Sequence, residues 1–254
     1  MTPSKLVFDS NLVPEKTPLP DGMAFRSFID KIPSFHQLAT LNKQKLGEQA
    51  ELLCMRKGEI LWKKHDHCDF CVLIVSGLVE VTSCNEEGDE SVFGIFGPQD
   101  LVGIAAVLRK SEYSATAVVA SKECRLYKLR ISTLPLKLSD AQRDNFLKWE
   151  CEMLLLHEQI LRGKIAILGA GRLHSRLVEM FTQLGARFGD KQSSTHGQLV
   201  IPIPLTKTLI AKVVEARVES VIRMLKKWEK AGYLKMDRDE AVVVQLDRLQ
   251  VSEP

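Results

Sequence analysis

The chain has 254 residues, of which 45% are hydrophobic and 26% are charged, and it carries a formal net charge of +3. This composition is ordinary for a soluble globular protein, and the length suits one large or two modest domains. The sequence has no run of 18 or more apolar residues and no signal-peptide pattern at its N-terminus, so we expect a cytoplasmic protein without membrane contact. Six irregularly spaced cysteines, mostly in apolar segments, predict reduced thiols and exclude a secreted disulfide framework.

The N-terminal part of the chain predicts an arm followed by short helices. Residues 1–24 contain four prolines and show little hydrophobic periodicity, which is typical of an arm rather than a folded element. Residues 24–50 predict one or two short helices.

Residues 25–136 predict a domain built mainly of strands. From Glu51 to Leu129, short apolar or alternating runs follow one another: EILWKK, FCVLIVSG, LVEVTSC, SVFGIFG, TAVVA and RLYKLR. Glycine-containing turns separate these runs, as at Gly58 and Gly77. Six to eight short strands at this spacing predict an antiparallel β-roll or barrel.

Residues 137–168 predict a long dimerisation helix. Its apolar stripe recurs at alternating spacings of 3 and 4, at Phe146, Trp149, Met153, Leu156, Ile160, Gly163 and Ile167. That is the period of a two-stranded coiled coil, so we expect the first five of these residues to form a dimer interface. A helix packed on its own domain has the same stripe, and this alternative stays open.

Residues 169–254 predict a winged-helix DNA-binding domain. A helix over about 172–187 leads through the polar loop 189–197 to the strand QLVIPIP, and VVVQL after the turn MDRDE predicts a wing hairpin. Between them, residues 205–234 predict a helix-turn-helix that begins at the N-cap Thr206 and ends at Gly232.

The predicted second helix of this motif divides into two sides. Val221, Leu225 and Trp228 share the side expected to be buried, and the opposite side carries Glu219, Ile222, Arg223 and Lys226. Between Leu205 and Lys235 there are eight Lys or Arg residues against three Glu residues, whereas the whole chain carries only +3. This concentration of positive charge indicates double-stranded DNA as the partner.

A β-roll, a long helix and a C-terminal winged helix, in that order, resemble the CRP/FNR family of bacterial transcription regulators. The resemblance extends from Phe25 to Leu249 and is strongest in KGEIL at 57–61, VLIVSGLVEV at 72–81, EEGDE at 86–90, GPQDLVG at 97–103, SATAVVA at 114–120 and PLTKTLIAKVV at 204–214. It implies an α+β homodimer whose β-roll senses an effector and whose winged helices enter successive major grooves, with RNA polymerase as a further partner. It implies no enzymatic activity.

The resemblance also implies how DNA is read. The family reads half-sites with a Glu and an Arg one helical turn apart, which here are Glu219 and Arg223, as in the FNR branch. Arg223 can donate twice to guanine, Glu219 can accept from cytosine, and Ile222 can pack on a thymine methyl, so we expect a palindrome with TGA-like half-sites. The expected phosphate contacts are Lys207, Thr208, Arg217, Ser220 and Lys226.

One residue departs from the family pattern at the corner of the helix-turn-helix. The family usually has Gly at this position, where the backbone takes a positive φ, and this chain has Glu215. A Glu there strains or reshapes the turn and puts an acid near the DNA. A same-fold interaction protein that has lost DNA binding is therefore the rival hypothesis.

The sensor domain lacks the family's cyclic-nucleotide motif. The Glu that binds the ribose is replaced by Ile104, and the Arg and hydroxyl residue that bind the phosphate are replaced by Ser114 and Ala115. A buried phosphate without a cationic partner costs several kcal/mol. We therefore expect that cyclic AMP and cyclic GMP are not effectors.

Other cofactors of the family also lack their ligands. No Cys precedes Cys54, which argues against the FNR iron–sulfur cluster, and the residues of the carbon-monoxide-sensing haem site are absent near 102–104. The remaining candidate is a metal, haem or redox sensor that uses His65, His67, Cys68 and Cys71. The alternative is a buried core Cys beside an exposed loop, since Cys68 and Cys71 lie about 10 Å apart if the strand begins at Phe70.

Overall fold

The computed structural model describes residues 21–84, 90–130, 138–190, 198–237 and 241–251. Most of the predicted arm, the EEGDE turn, the loop that contains His196 and the tip of the wing therefore lie outside the described residues. Within the described parts of the chain, no helix is long and apolar enough to cross a membrane.

The N-terminal helices are α1 (Asp21–Ile29), a 3-10 turn (Pro33–Phe35) and α2 (Thr40–Gly47). The predicted arm, residues 1–24, is too long at its C-terminal end because α1 already begins at Asp21. These helices pack on the β-roll and on the long helix, since the Phe25 ring lies 5.0 Å from Tyr127 and the Phe35 ring lies 5.1 Å from Trp149.

The β-roll consists of two antiparallel four-stranded sheets, as predicted. The strands are β1 (Ala50–Arg56), β2 (Ile60–Trp62), β3 (Cys71–Ser76), β4 (Val79–Cys84), β5 (Glu90–Phe96), β6 (Leu101–Val102), β7 (Thr116–Val119) and β8 (Glu123–Leu129). The strand order is β1-β8-β3-β6 in one sheet and β2-β7-β4-β5 in the other. A short helix, α3 (Ile104–Arg109), joins β6 to β7. The interior is strongly apolar, with Val72, Leu73 and Ile74 of β3 fully buried.

The long helix α4 (Asp140–Gly169) confirms the predicted element, but its apolar stripe packs on its own chain. Phe146, Trp149 and Met153 are at most 2% exposed and belong to the core of the β-roll. Ile160 is half-buried against that core. The assignment of Phe146, Trp149 and Met153 to a dimer interface is therefore wrong. A partner cannot reach side chains that the same chain already covers.

The remaining three residues of the predicted stripe have different surroundings. Leu156 is 42% exposed, Gly163 is the point where the next helix approaches α4, and Ile167 is buried at 5% exposure. The exposed apolar residues of α4 include Leu147, Leu154, Leu161 and Ile165, which are 37–71% exposed. Three of them directly follow Phe146, Met153 and Ile160, which face the core, so the exposed stripe is turned by about 100° around the helix axis.

The C-terminal domain begins after a sharp reversal. Gly171 adopts a φ of 85°, and α5 (Leu173–Phe188) folds back along α4, where the Gln183 amide donates to the Gly163 carbonyl at 2.9 Å. A positive φ of this size is readily adopted by glycine, which suits Gly171 to the reversal.

The rest of the domain is a winged helix, as predicted. It contains β9 (Leu199–Ile201), α6 (Lys207–Val213), α7 (Val218–Lys230), β10 (Leu234–Met236), β11 (Val242–Val244) and α8 (Leu246–Val251). The strands form one antiparallel sheet of order β10-β11-β9. Its core continues into the β-roll, because Leu78, Val92 and Ile95 are buried together with the residues of the winged helix.

Candidate nucleic-acid interface

The helix-turn-helix is formed by α6 and α7. The Thr206 hydroxyl accepts a hydrogen bond from the Leu209 amide at 3.1 Å, which confirms the predicted N-cap of α6. Val221, Leu225 and Trp228 of α7 are 0%, 0% and 3% exposed, and this confirms the predicted buried side. Burial of one side fixes how α7 is seated on its domain.

The opposite side of α7 is open to solvent. Glu219, Arg223 and Lys226 are exposed and Ile222 is half-buried. The structure thus places the three predicted base-reading residues, Glu219, Ile222 and Arg223, next to one another on the free surface of one helix. Such a surface carries two charged groups that can bond to base edges and one aliphatic group that can contact a thymine methyl.

Four of the five predicted phosphate contacts lie around the beginnings of the two helices, and the fifth, Lys226, lies farther along α7. Thr208 and Arg217 are exposed, and Ser220 is half-buried in the first turn of α7. Lys207 is half-buried, and its ammonium lies 3.7 Å from the Glu229 carboxylate. Lys207 can therefore reach a phosphate only by sharing or leaving this partner.

The corner between the two helices keeps its left-handed backbone without glycine. Glu215 has a φ of 49°, a conformation that is unfavourable for a residue with a side chain. The Lys164 ammonium of α4 lies 3.1 Å from the Glu215 carboxylate and donates to the Val213 carbonyl at 2.6 Å. Arg176 of α5 donates to the carbonyls of Val214 and Glu215 at 2.6 and 3.2 Å.

Sequence reasoning did not find the roles of Lys164 and Arg176. Both residues lie far upstream of the corner, and only the reversal between α4 and α5 brings them to it. The sequence offers one clue to the role of Lys164: it lies about five helical turns after Phe146, on the face of α4 that carries the buried apolar residues. Its side chain is 12% exposed, and burial lowers the pKa of its ammonium although Glu215 acts in the opposite direction.

Two further ion pairs join the winged helix to the β-roll. Arg187 at the end of α5 lies 2.6 Å from the Asp100 carboxylate, and Lys212 of α6 lies 3.1 Å from Glu80 of β4. Burial raises the pKa of Asp100, while the Arg187 guanidinium opposes this rise. These contacts position α6 against the sensor domain.

The place of the family's nucleotide site is filled by apolar side chains. Ile104 is fully buried, Ala115 is 5% exposed, and Ser114 points to solvent. Beside them Trp62 and Tyr113 stack with ring centroids 4.3 Å apart, and a Cβ on Gly103 would lie 3.0 Å from the Trp62 ring. None of the three replaced positions offers a charge to a phosphate.

The four proposed metal ligands do not come together. His65 is largely exposed and pairs with Glu112 at 3.2 Å. Cys68 and Cys71 are buried, and their thiols face the carbonyls of Phe70 and Leu129. Burial raises the pKa of both thiols, which disfavours the thiolates that metals bind.

In the described part of the chain, no three His, Cys, Asp or Glu residues form a possible metal set. The metal assignment of His65, His67, Cys68 and Cys71 is therefore wrong. The structure instead matches the alternative, a buried core Cys beside an exposed loop, because Cys71 begins β3 inside the apolar core.

The chain is similar to known proteins in both of its halves. A family model described as a cyclic nucleotide-binding domain matches residues 53–135, and one described as a Crp-like helix-turn-helix domain matches residues 171–251. A CRP-like cAMP-activated global transcriptional regulator of Mycobacterium tuberculosis is 21% identical over 80% of this chain and 88% of its own length. The transcriptional activator protein Anr of Pseudomonas protegens is 22% identical over 78% of this chain and 77% of its own length.

Solved structures share the fold. FixK2 from Bradyrhizobium japonicum superposes with a TM-score of 0.63 at 15% identity, over 81% of this chain and 98% of its own. The c-di-GMP responsive regulator CLP of Xanthomonas campestris gives a TM-score of 0.62 at 16% identity, over 81% of this chain and 99% of its own. With both domain models in the expected order and the helix-turn-helix intact, the chain belongs to the CRP/FNR family of transcription regulators.

Proposed function

We propose that the protein is a homodimeric regulator that reads a DNA palindrome with TGA-like half-sites and does not respond to cyclic AMP or cyclic GMP. The observation that carries the proposal is the division of α7, whose one side is buried and whose other side exposes Glu219 and Arg223. In this proposal, residues 25–136 sense, 137–168 pair the subunits and 169–254 bind DNA. RNA polymerase is the proposed second macromolecular partner.

The proposed dimer interface is the exposed stripe of α4 rather than the stripe buried on its own chain. Leu147, Leu154 and Leu161 recur every seven residues. Of the three alternating positions, Cys151 and Ile165 occupy two, and Glu158, which pairs with Arg162, occupies the third. This is the heptad pattern of a two-stranded coiled coil. Five exposed apolar or thiol side chains along one side of a helix also indicate a surface that is buried against a partner.

The proposal of cyclic-nucleotide independence rests on the replaced pocket. The Mycobacterium tuberculosis relative is cAMP-activated by its description. In this chain the corresponding residues are Ile104, Ser114 and Ala115, and none of them can neutralise a cyclic phosphate. A phosphate enclosed there remains unpaired, at a cost of several kcal/mol.

A binding assay with matched variants tests DNA reading by α7. Arg223→Ala removes the two donors to guanine and is expected to weaken binding to a TGA-like palindrome by about 1–3 kcal/mol per half-site. It is also expected to relax the preference for guanine at that position. Fluorescence anisotropy at fixed salt measures the affinity for the palindrome and for a version with the guanine replaced.

Lys230→Ala is the matched control, since Lys230 is an exposed cation at the other end of the same helix. It is expected to leave the guanine preference unchanged. If Arg223→Ala and Lys230→Ala behave alike, α7 does not read the sequence. The rival, an interaction protein without DNA binding, predicts no binding in any of the three samples.

A further inference from the structure

The corner of the helix-turn-helix is held from outside the motif. The left-handed Glu215 and the two carbonyls before it receive contacts from Lys164 of α4 and Arg176 of α5. The carbonyls of Val213 and Val214 are at the end of α6, where a helix has no donors of its own for them. The two cations therefore complete the C-terminal end of α6.

This arrangement differs physically from a glycine corner. Glycine adopts a positive φ without steric cost, but it has no side chain through which another element can hold it. A φ of 49° is sterically unfavourable for Glu215, but its carboxylate forms an ion pair with Lys164 of α4. The departure from glycine thus creates a link that a glycine cannot make.

The link ends on the same turn of α4 that carries the proposed dimer stripe. Leu161 and Ile165 flank Lys164 in sequence and are exposed, whereas the Lys164 side chain is only 12% exposed and points to the corner. On the other end of the link, α7 begins three residues after Glu215, and its first turn contains Glu219. A short path of contacts therefore joins the subunit-pairing stripe to the base-reading surface.

We propose that the Lys164–Glu215 ion pair is a positioning device that fixes the recognition helix relative to the dimer helix. It thereby sets the distance between the two half-sites that the dimer accepts. The proposal rests on the proposed dimeric, DNA-reading function, because half-site spacing mirrors the separation of two recognition helices. Neither Lys164 nor Glu215 contacts a base in it, so both act through α7.

The experiment compares Glu215→Gln and Lys164→Met with the wild type. Each variant removes one charge of the pair while keeping a side chain of similar length. The matched control is Asp30→Asn, which breaks the Lys43–Asp30 pair: there the two side chains are 11% and 47% exposed, against 12% and 44% for Lys164 and Glu215. The control pair lies among the N-terminal helices and does not touch the helix-turn-helix.

The first readout is the dependence of DNA affinity on half-site spacing. We select a palindrome with the wild type and then insert or delete one base pair between its half-sites. The wild type and Asp30→Asn are expected to lose about tenfold or more in affinity on such a change, since the separation of the helices is fixed. Glu215→Gln and Lys164→Met are expected to lose only about threefold or less, with unchanged affinity for a single half-site.

The second readout needs no DNA. Hydrogen exchange of the free protein reports the Ala216 amide, which bonds to the Ala211 carbonyl at 3.0 Å across the corner. Both variants of the pair are expected to speed its exchange, and Asp30→Asn is not.

The outcomes separate the two levels of the proposal. Faster exchange with an unchanged spacing dependence would show that the pair only stabilises the corner, and positioning would be refuted. Unchanged exchange with unchanged spacing dependence would show that the pair does not hold the corner at all. If the wild type and Asp30→Asn bind no duplex, the proposed function itself fails and the positioning role fails with it.

Discussion

Ile222 is the aliphatic residue of the proposed reading surface of α7. It is half-buried between the exposed Glu219 and Arg223, on the side of α7 that we propose faces the major groove. An aliphatic group favours a thymine methyl over a base that needs a hydrogen bond. In the proposed complex, the preference at the neighbouring base pair therefore depends on this one side chain.

We expect Ile222→Ser to lower the preference for thymine at that position by about fourfold, which corresponds to roughly 0.8 kcal/mol for one lost methyl contact. The guanine preference that Arg223 provides is expected to remain. Competition binding with the four bases at each position of one half-site measures both effects. An unchanged preference at every position would remove Ile222 from the reading surface.

Glu150 is a second residue with a measurable consequence, this time for stability. It lies on α4, is 7% exposed, and its Oε1 atom has no hydrogen-bond partner in the described part of the chain. Burial raises the pKa of its carboxyl from 4.5 to about 7. Between these two values the folded protein binds more protons at Glu150 than the unfolded chain does.

The free energy of unfolding is therefore expected to fall as the pH rises from 4.5 to 7, by roughly 1–3 kcal/mol from this group. Glu150→Gln remains neutral at every pH, so this contribution to the pH dependence disappears and the variant is more stable than the wild type at pH 8. Urea unfolding between pH 5 and pH 8 measures the difference. Parallel pH dependences of wild type and Glu150→Gln would contradict the assignment.

At the scale of elements, the dimer stripe of α4 shows what the sequence could and could not predict. The helix, its length and its period of 3 and 4 were readable from the apolar residues. The surface against which the stripe packs could not be predicted, because a stripe that packs on its own β-roll and one that packs on a second subunit have the same period. Only the burial of Phe146 and the exposure of Leu147 distinguish the two.

The same limit applies to the helix-turn-helix and the sensor. Thr206, the buried side of α7 and the wing strands follow from local patterns, and the structure confirms them. The ion pair between Lys164 and Glu215 depends on how α5 folds back along α4. No local sequence pattern encodes that packing. The dense His and Cys spacing suggested a metal site, but β3 carries Cys71 into the core.

We expect Leu154→Glu to convert the dimer to a monomer, because it places a charge in the middle of an apolar seam. Gln159→Glu adds the same charge to an exposed position about 140° away around the helix and is expected to leave the dimer intact. Sedimentation equilibrium gives the mass of both. A dimer in both variants would place the subunit contact elsewhere on the molecule.

At the scale of the whole molecule, the two domains share a boundary that is partly apolar and partly ionic. Leu78, Val92 and Ile95 of the β-roll are buried with winged-helix residues, and Arg187 pairs with Asp100 at 2.6 Å. Both side chains of this pair are about one quarter exposed or less, at 26% and 21%. Loss of one partner leaves a largely enclosed charge without its counter-ion.

Arg187→Met is therefore expected to lower the free energy of unfolding by about 1–2 kcal/mol. Arg143→Met is the control, since Arg143 pairs with Asp140 at 3.6 Å on the open surface and is expected to cost less than about 0.5 kcal/mol. Denaturant unfolding measures both. Equal losses would mean that the junction contributes no more than a surface pair.

The central claim is that this molecule selects DNA by sequence through α7, without an added nucleotide. The most direct test is to select bound duplexes from a random-sequence library with purified protein and no added ligand. We expect recovery of a palindrome with TGA-like half-sites about one helical turn apart, centre to centre. Recovery of no common sequence, or of one that is unchanged by Arg223→Ala, would contradict it.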